Sequence, residues 1–135
     1  MDYLVDANVL SEATRPQPNV KVIDWLMTNE RFLAVDPVIV GELRYGILLL
    51  PKGKRRTRLE SWFSEGIEKL LCFDWTRETG LRWAQMLADL KSRGQAMPIK
   101  DSMIAATAAT RSLTVVTRNI TDFSRANVDV LNPFD

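Results

Sequence analysis

Apolar and polar positions alternate along the chain in two rhythms. Short β-type runs are separated by stretches with a helical period. Tyr3-Leu4-Val5 is a brief apolar run that stops at Asp6. A helix is predicted from about Asn19, with Val22, Ile23 and Leu26 on one stripe. Phe32 to Val35 reads as a second strand. Asp36-Pro37 opens a further helix, because aspartate suits the cap and proline the first helical position. That helix runs through Glu42 to about Leu50, where Pro51 and Gly53 stop it. The next helix carries Trp62, Phe63 and Ile67. Leu70 to Phe73 is a strand, Arg77 to about Arg93 is a helix closed by Gly94, and Ile99 to about Arg111 is an alanine-rich helix. Leu113 to Val116 is rich in β-branched residues, and Val128 to Leu131 is a weaker strand. This alternation predicts an α/β fold with a parallel sheet covered by helices on both faces and joined by right-handed crossovers. Such sheets bind ligands beyond the carboxyl ends of their strands, where strand order reverses.

Four acids stand out against this pattern. Asp6 ends the first strand, where position alone favours a cap or turn residue, and Asp122 follows the Val115-Val116 strand, where it also reads as a loop residue or helix cap. Glu42 shares a helix face with Val38, Tyr45 and Leu49, beside a stripe of Ile39, Leu43 and Leu50. A glutamate in an apolar stripe must be paired, protonated or bound to something positive. Asp101 heads the stripe of Ile104, Ala105 and Ala108; the competing reading is a first-turn acid that complements the helix dipole.

The 135 residues predict one domain, spanning 1–135, and 46% apolar content is ordinary for a folded chain. No apolar run is long enough for a membrane span, and no secretory leader precedes Tyr3, so a cytoplasmic location is expected. The single cysteine, Cys72, falls in an apolar run that predicts a buried, inert thiol. Net charge is only +1, but Lys52, Lys54, Arg55, Arg56 and Arg58 form a short basic run, expected to be a solvated connection between helices.

The chain has no histidine, which removes the commonest general acid/base and the commonest zinc ligand. Clustered carboxylates raise one another's pKa unless a cation neutralises them. Oxygen-only ligands suit Mg²⁺ or Mn²⁺, and the usual work of such a site is phosphoryl chemistry. Asn8 and Ser11 would orient Asp6 or a metal-bound water, or else simply mark a helix start. Thr117 and Asn119 lie where they can reach the acids or a scissile phosphate.

The segments Val5-Asp6-Ala7-Asn8-Val9-Leu10-Ser11-Glu12, Gly41-Glu42-Leu43-Arg44-Tyr45-Gly46, Asp101 to Ala108, and Val116-Thr117-Arg118-Asn119 with Asp122-Phe123 occur in an order that resembles PIN-domain proteins of the VapC toxin type. Arg15-Pro16-Gln17-Pro18-Asn19 and Asn132-Pro133-Phe134 resemble the FitB branch. The resemblance implies an α/β/α sandwich and Mg²⁺- or Mn²⁺-dependent cleavage of RNA. Asp6, Glu42 and Asp101 match the core metal-binding acids, and Asp122 the more variable fourth. It further implies a homodimer and a hetero-oligomer with a DNA-binding antitoxin whose C-terminal segment covers the acids. Arg44, Lys100, Arg118 and the basic run Lys52, Lys54, Arg55 and Arg56 are candidates for holding the RNA backbone. Two departures stand out: Asp36 and Ile39 occupy positions where such proteins commonly carry Ser and Thr, and Ala7 replaces a frequent hydroxyl residue. Asp36 is expected to cap its helix. Two other readings share these residues: an RNA-processing or DNA nuclease, and a non-catalytic regulatory subunit.

Overall fold

Strands β1 (Tyr3–Val5), β2 (Leu33–Val35), β3 (Leu71–Cys72), β4 (Thr114–Val116) and β5 (Val130–Leu131) form one sheet in a computed structural model that describes residues 2–135. The order is β3-β2-β1-β4-β5 and every neighbouring pair is parallel. Parallel neighbours require crossovers, which explains why helical segments separate every strand. From β1 the chain steps outward through β2 to β3, then returns to the other side of β1 for β4 and β5. Strand order therefore reverses between β1 and β4, whose residues pair as Leu4 with Val115 and Val5 with Val116.

The helices are α1 (Ala7–Leu10), α2 (Val20–Thr28), α3 (Pro37–Leu48), α4 (Lys54–Glu65), α5 (Arg77–Ser92), α6 (Ile99–Arg111) and α7 (Ile120–Ser124). Consecutive strand residues point to opposite faces, yet Leu4 and Val5, Ala34 and Val35, and Val115 and Val116 are all fully buried. Both faces of the sheet's centre are thus covered, as a parallel sheet demands. The core also takes in Ile39, Ile104 and Phe123. Ala105, Ala106 and Ala108 are buried in α6, where small side chains permit close approach. On α5, Trp83 donates from Nε1 to Ser102 Oγ at 2.9 Å, and that hydroxyl donates to Ile99 O at 2.6 Å. This chain of bonds fastens α5 to the first turn of α6.

The structure departs from the expected pattern in four places. Cys72 is exposed, not buried, because β3 is a two-residue edge strand left uncovered. Most of the basic run is helix rather than connection: arginine and lysine are good helix formers, and Trp62 and Phe63 anchor α4 to the core. On α3 the buried stripe is Ile39, Leu43 and Ile47; Tyr45 and Leu49 are exposed, so Glu42 sits at the margin of the apolar face. The short helices α1 and α7 occupy segments with too few residues to show a period.

Asp36 is an N-cap, as expected. It is fully buried, accepts from Ile39 N at 2.9 Å, and accepts from Thr107 Oγ1 at 2.7 Å. One carboxylate thereby ties α3 to α6. Burial raises its pKa, while the Ile39 amide, the Thr107 hydroxyl and the Val38 amide oppose the rise. Thr107→Val leaves that buried oxygen unpaired and should lower stability by about 1–3 kcal/mol in urea unfolding. An unchanged midpoint would mean that the α3 amides alone satisfy Asp36.

Candidate active site

Asp6 is the first residue past β1. Its N–H donates to Val116 O at 2.9 Å, which extends the β1–β4 ladder by one rung. Its extended backbone lets Oδ1 accept from Ala7 N at 2.8 Å and cap α1. Oδ2 accepts from Thr117 Oγ1 at 2.7 Å and from Asn8 Nδ2 at 3.3 Å. Asp6 is thus a cap and a member of a cluster at once. Thr117, buried at the end of β4, also accepts from Asn119 N at 3.0 Å, and Asn8 Oδ1 accepts from Arg118 N at 3.3 Å. Asn8 and Thr117 therefore lock the carboxyl ends of β1 and β4 together around Asp6.

The other three acids arrive from separate helices. Asp101 lies buried in the first turn of α6. Its carboxyl is pushed up to about 6, first by burial and then by the negative charges of Asp6, Asp122 and Glu42, with only Lys100 opposing. Those charges place all four acids in one electrostatic neighbourhood, at the reversal between β1 and β4. Asp6 is likewise raised, mainly by burial; the Thr117 hydroxyl opposes this, the Glu42 charge adds to it, and the Ala7 amide and Lys100 counter it. Glu42 projects from α3 to meet Lys100 Nζ at 3.3 Å. Asp122 stands in the first turn of α7 with Arg125 Nη1 at 3.5 Å.

Among the described residues, no group of three or more acidic, histidine or cysteine side chains is arranged to hold a metal ion as it stands. Two of the four acids are committed to cations of the chain instead. The donor chemistry nevertheless fits a hard divalent cation: the four acids offer only oxygen ligands, and Asp101 carries repulsion, only partly offset by Lys100, that a cation would relieve.

The remaining predicted residues divide by position. Ser11 follows α1, its carbonyl accepts from Thr14 Oγ1 at 2.7 Å, and it makes no bond to the acids. It lines a groove of about 370 Å³ with Asn8, Glu42, Ile47, Arg55 and Trp62. Asn119 heads α7. Arg44 pairs with Glu60 at 3.4 Å, and Arg56 approaches the same carboxylate at 3.9 Å, so both are engaged within the fold. Lys52 and Lys54 are exposed where α4 begins. Arg118 lies 3.9 Å over the Phe134 ring. The residue that sequence reading missed is Arg125, whose i,i+3 spacing from Asp122 was the available signal.

The Asp101 shift has a consequence for stability. Between the ordinary value of 3.8 and about 6 the native state binds more protons than the unfolded chain. Metal-free protein should therefore lose stability as pH rises through that window. Asp101→Asn removes the repulsion and should raise Tm in EDTA above pH 7 by roughly 3–5 °C, while flattening the decline between pH 4 and 6. A lower or unchanged Tm in differential scanning calorimetry would show that Asp101 is not under repulsion.

Residues 3–128 match the PIN domain family. The toxin FitB of Neisseria gonorrhoeae is 37% identical over 97% of both chains. The VapC ribonuclease Y4jK of Sinorhizobium fredii is 32% identical over 98% of this chain and 97% of its own. A structure of FitAB bound to an IR36 DNA fragment superposes with a TM-score of 0.91 at 34% identity, over 98% of this chain and 96% of that one. Its fold and its sequence together place the chain in the PIN domain family, among VapC- and FitB-like relatives.

Proposed function

We propose that this chain, read as one PIN domain over 1–135, is a divalent-metal-dependent endoribonuclease and the toxin of a type II toxin–antitoxin pair. The observation that carries this reading is the convergence of Asp6, Glu42, Asp101 and Asp122, from four separate elements, on the strand-order reversal. Asp6 and Asp101 would hold the principal ion, with Glu42 and Asp122 completing the oxygen donors. Mg²⁺ or Mn²⁺ bound there supplies positive charge for the phosphate and lowers the pKa of water.

The chain's own residues prepare that site. Thr117 and Asn8 donate to one oxygen of Asp6, and the Ala7 amide donates to the other, which fixes the carboxylate's plane. Lys100 and Arg125 restrain the outer acids and stand where they can meet phosphate oxygens. Exposed Lys52, Lys54, Arg55 and Arg118 offer further backbone contacts, which would give salt-dependent affinity and little sequence choice. With no histidine in the chain, no imidazole is available to promote attack by a ribose 2′-hydroxyl, and a 5′-phosphate product is expected.

Partner binding has its own support. Tyr45 on α3 is 63% and Leu49 just past its end 66% exposed, and Leu81 and Ile99 are comparably bare on α5 and α6. Such apolar surface suits burial by an antitoxin and by a second copy of the chain. The structure of FitAB bound to a DNA fragment favours an antitoxin that carries the pair to an operator. No helix among the described residues is long and apolar enough to cross a membrane.

Wild type and Asp101→Asn incubated with total cellular RNA test the reading. Discrete cuts with 5′-phosphate ends are expected with Mn²⁺ and not with EDTA, and only from wild type. Cleavage that survives chelation or the substitution would overturn it. Thr117→Val, which removes the 2.7 Å bond to Asp6, should retain the fold and lose roughly 10- to 100-fold in cleavage rate. Full activity in that variant would show that Asp6 needs no such restraint.

A further inference from the structure

A second cavity, of about 450 Å³, opens between α5 and the turn that follows α7. One face of α5 forms its wall, since Arg82, Gln85, Asp89 and Arg93 recur at i, i+3, i+7 and i+11. Arg125 forms the opposite wall. The cavity thus gathers three guanidinium groups against the single carboxylate of Asp89, which accepts from Gln85 Nε2 at 3.1 Å.

Arg93 is held by neutral acceptors alone, whereas Arg125 has a neutral acceptor and also the Asp122 carboxylate at 3.5 Å. Arg93 donates to Arg125 O at 2.9 Å and to Gln95 Oε1 at 3.0 Å, and Arg125 donates to Ala96 O at 2.7 Å. Hydrogen bonds to carbonyl oxygens orient a guanidinium without cancelling its charge. Arg82 is exposed and enters no ion pair among the described residues. A concave, positively lined surface concentrates anions, and the planar fork of arginine matches phosphate oxygens.

One residue links the lining of the cavity to the acid cluster. Arg125 lines the cavity and also approaches Asp122 at 3.5 Å, one helical turn (about 5 Å) along the chain's axis. Among the described residues no aromatic side chain lines it, so these offer no platform on which a base could stack. What it offers is donors and charge, which read backbone and not sequence.

We propose that this cavity is a subsite for a backbone phosphate of the substrate RNA, flanking the scissile bond, with Arg82 and Arg93 as its anion-binding residues. The proposal rests on the ribonuclease reading and extends it to a surface separate from the α4 basic run.

Binding of a short, labelled, single-stranded RNA of mixed sequence, followed by fluorescence anisotropy over a range of KCl concentrations, tests it. The Asp101→Asn protein serves as the background, so that the probe stays intact. Adding Arg82→Ala should weaken binding about five- to tenfold and lower the log–log salt slope by about 0.7, the value of one single-strand phosphate contact. Arg82→Lys should keep most of the slope. Arg111→Ala, at the opposite end of α6, should change neither quantity, and unaltered Tm values confirm that the variants fold. An Arg82→Ala slope equal to that of Arg111→Ala overturns the subsite. If wild type still cleaves RNA in that case, the ribonuclease reading stands without it. A protein that cleaves nothing, yet loses slope on Arg82→Ala, keeps the anion site and loses the ribonuclease reading.

Discussion

Asp6 is held in place by three donors from two strand ends, and the rest of the site is arranged around that carboxylate. Its backbone N–H completes the β1–β4 ladder and its side chain caps α1, so the sheet cannot close and the chain cannot turn without setting Asp6. Thr117 contributes the shortest of the bonds, from the neighbouring strand. A buried carboxylate is costly unless donors satisfy it. Here the donors come from the one place in the sheet where strand order reverses, so topology and chemistry fall at the same point.

Around that fixed acid the charges are balanced unevenly. Lys100 and Arg125 face Glu42 and Asp122, the two outer acids, whereas Asp101 has repulsion from three carboxylates and relief only from Lys100. Exposed pairs of this kind contribute little to stability, because water screens both partners. Their significance is in occupancy. An outer carboxylate paired with a flexible lysine can turn toward a stronger cation at small cost, while Asp6, bonded on both oxygens, cannot turn. The site therefore combines one acid bonded on both oxygens with two outer acids that each face a single cation.

The sheet and the long helices were legible in the sequence because each depends on local information, β-branched runs and helical period. Glu42 and Asp101 stood out against that period, while Asp6 and Asp122 read locally as cap or turn residues and became candidates only together with the other two. Positions decided by tertiary contact were not legible. Cys72 reads as core from its neighbours, but an edge strand of two residues leaves it bare. Tyr45 and Leu49 share a helical face with Glu42, yet the buried stripe is rotated toward Ile39, Leu43 and Ile47, which a run of apolar residues around the whole helix could not reveal. The Arg125 bond to Ala96 O and the arginine-lined cavity depend on where α7 is laid against the loop before α6, a placement that no periodicity encodes. Asp36 shows the converse. Its cap role was readable from Asp-Pro, but its second partner, Thr107, lies 71 residues away.

Three consecutive residues at the start of α6 show how tightly fold and chemistry are coupled. Lys100 is exposed and reaches Glu42; Asp101 is buried in the acid cluster; Ser102 is buried and bonded to Trp83. Successive residues on a helix point about 100° apart, so these three directions are fixed relative to one another. Whatever sets the rotation of α6 about its axis sets all three. On one side that rotation is fixed by the Trp83 indole, 19 residues earlier on α5, and on the other by Thr107 reaching Asp36. Neither contact is made to one of the four acids, yet each helps determine whether Asp101 and Lys100 face the cluster together. The geometry of the site is thus a property of how α6 is clamped, and the alanines that let it lie close to its neighbours are as necessary to that geometry as the carboxylates themselves.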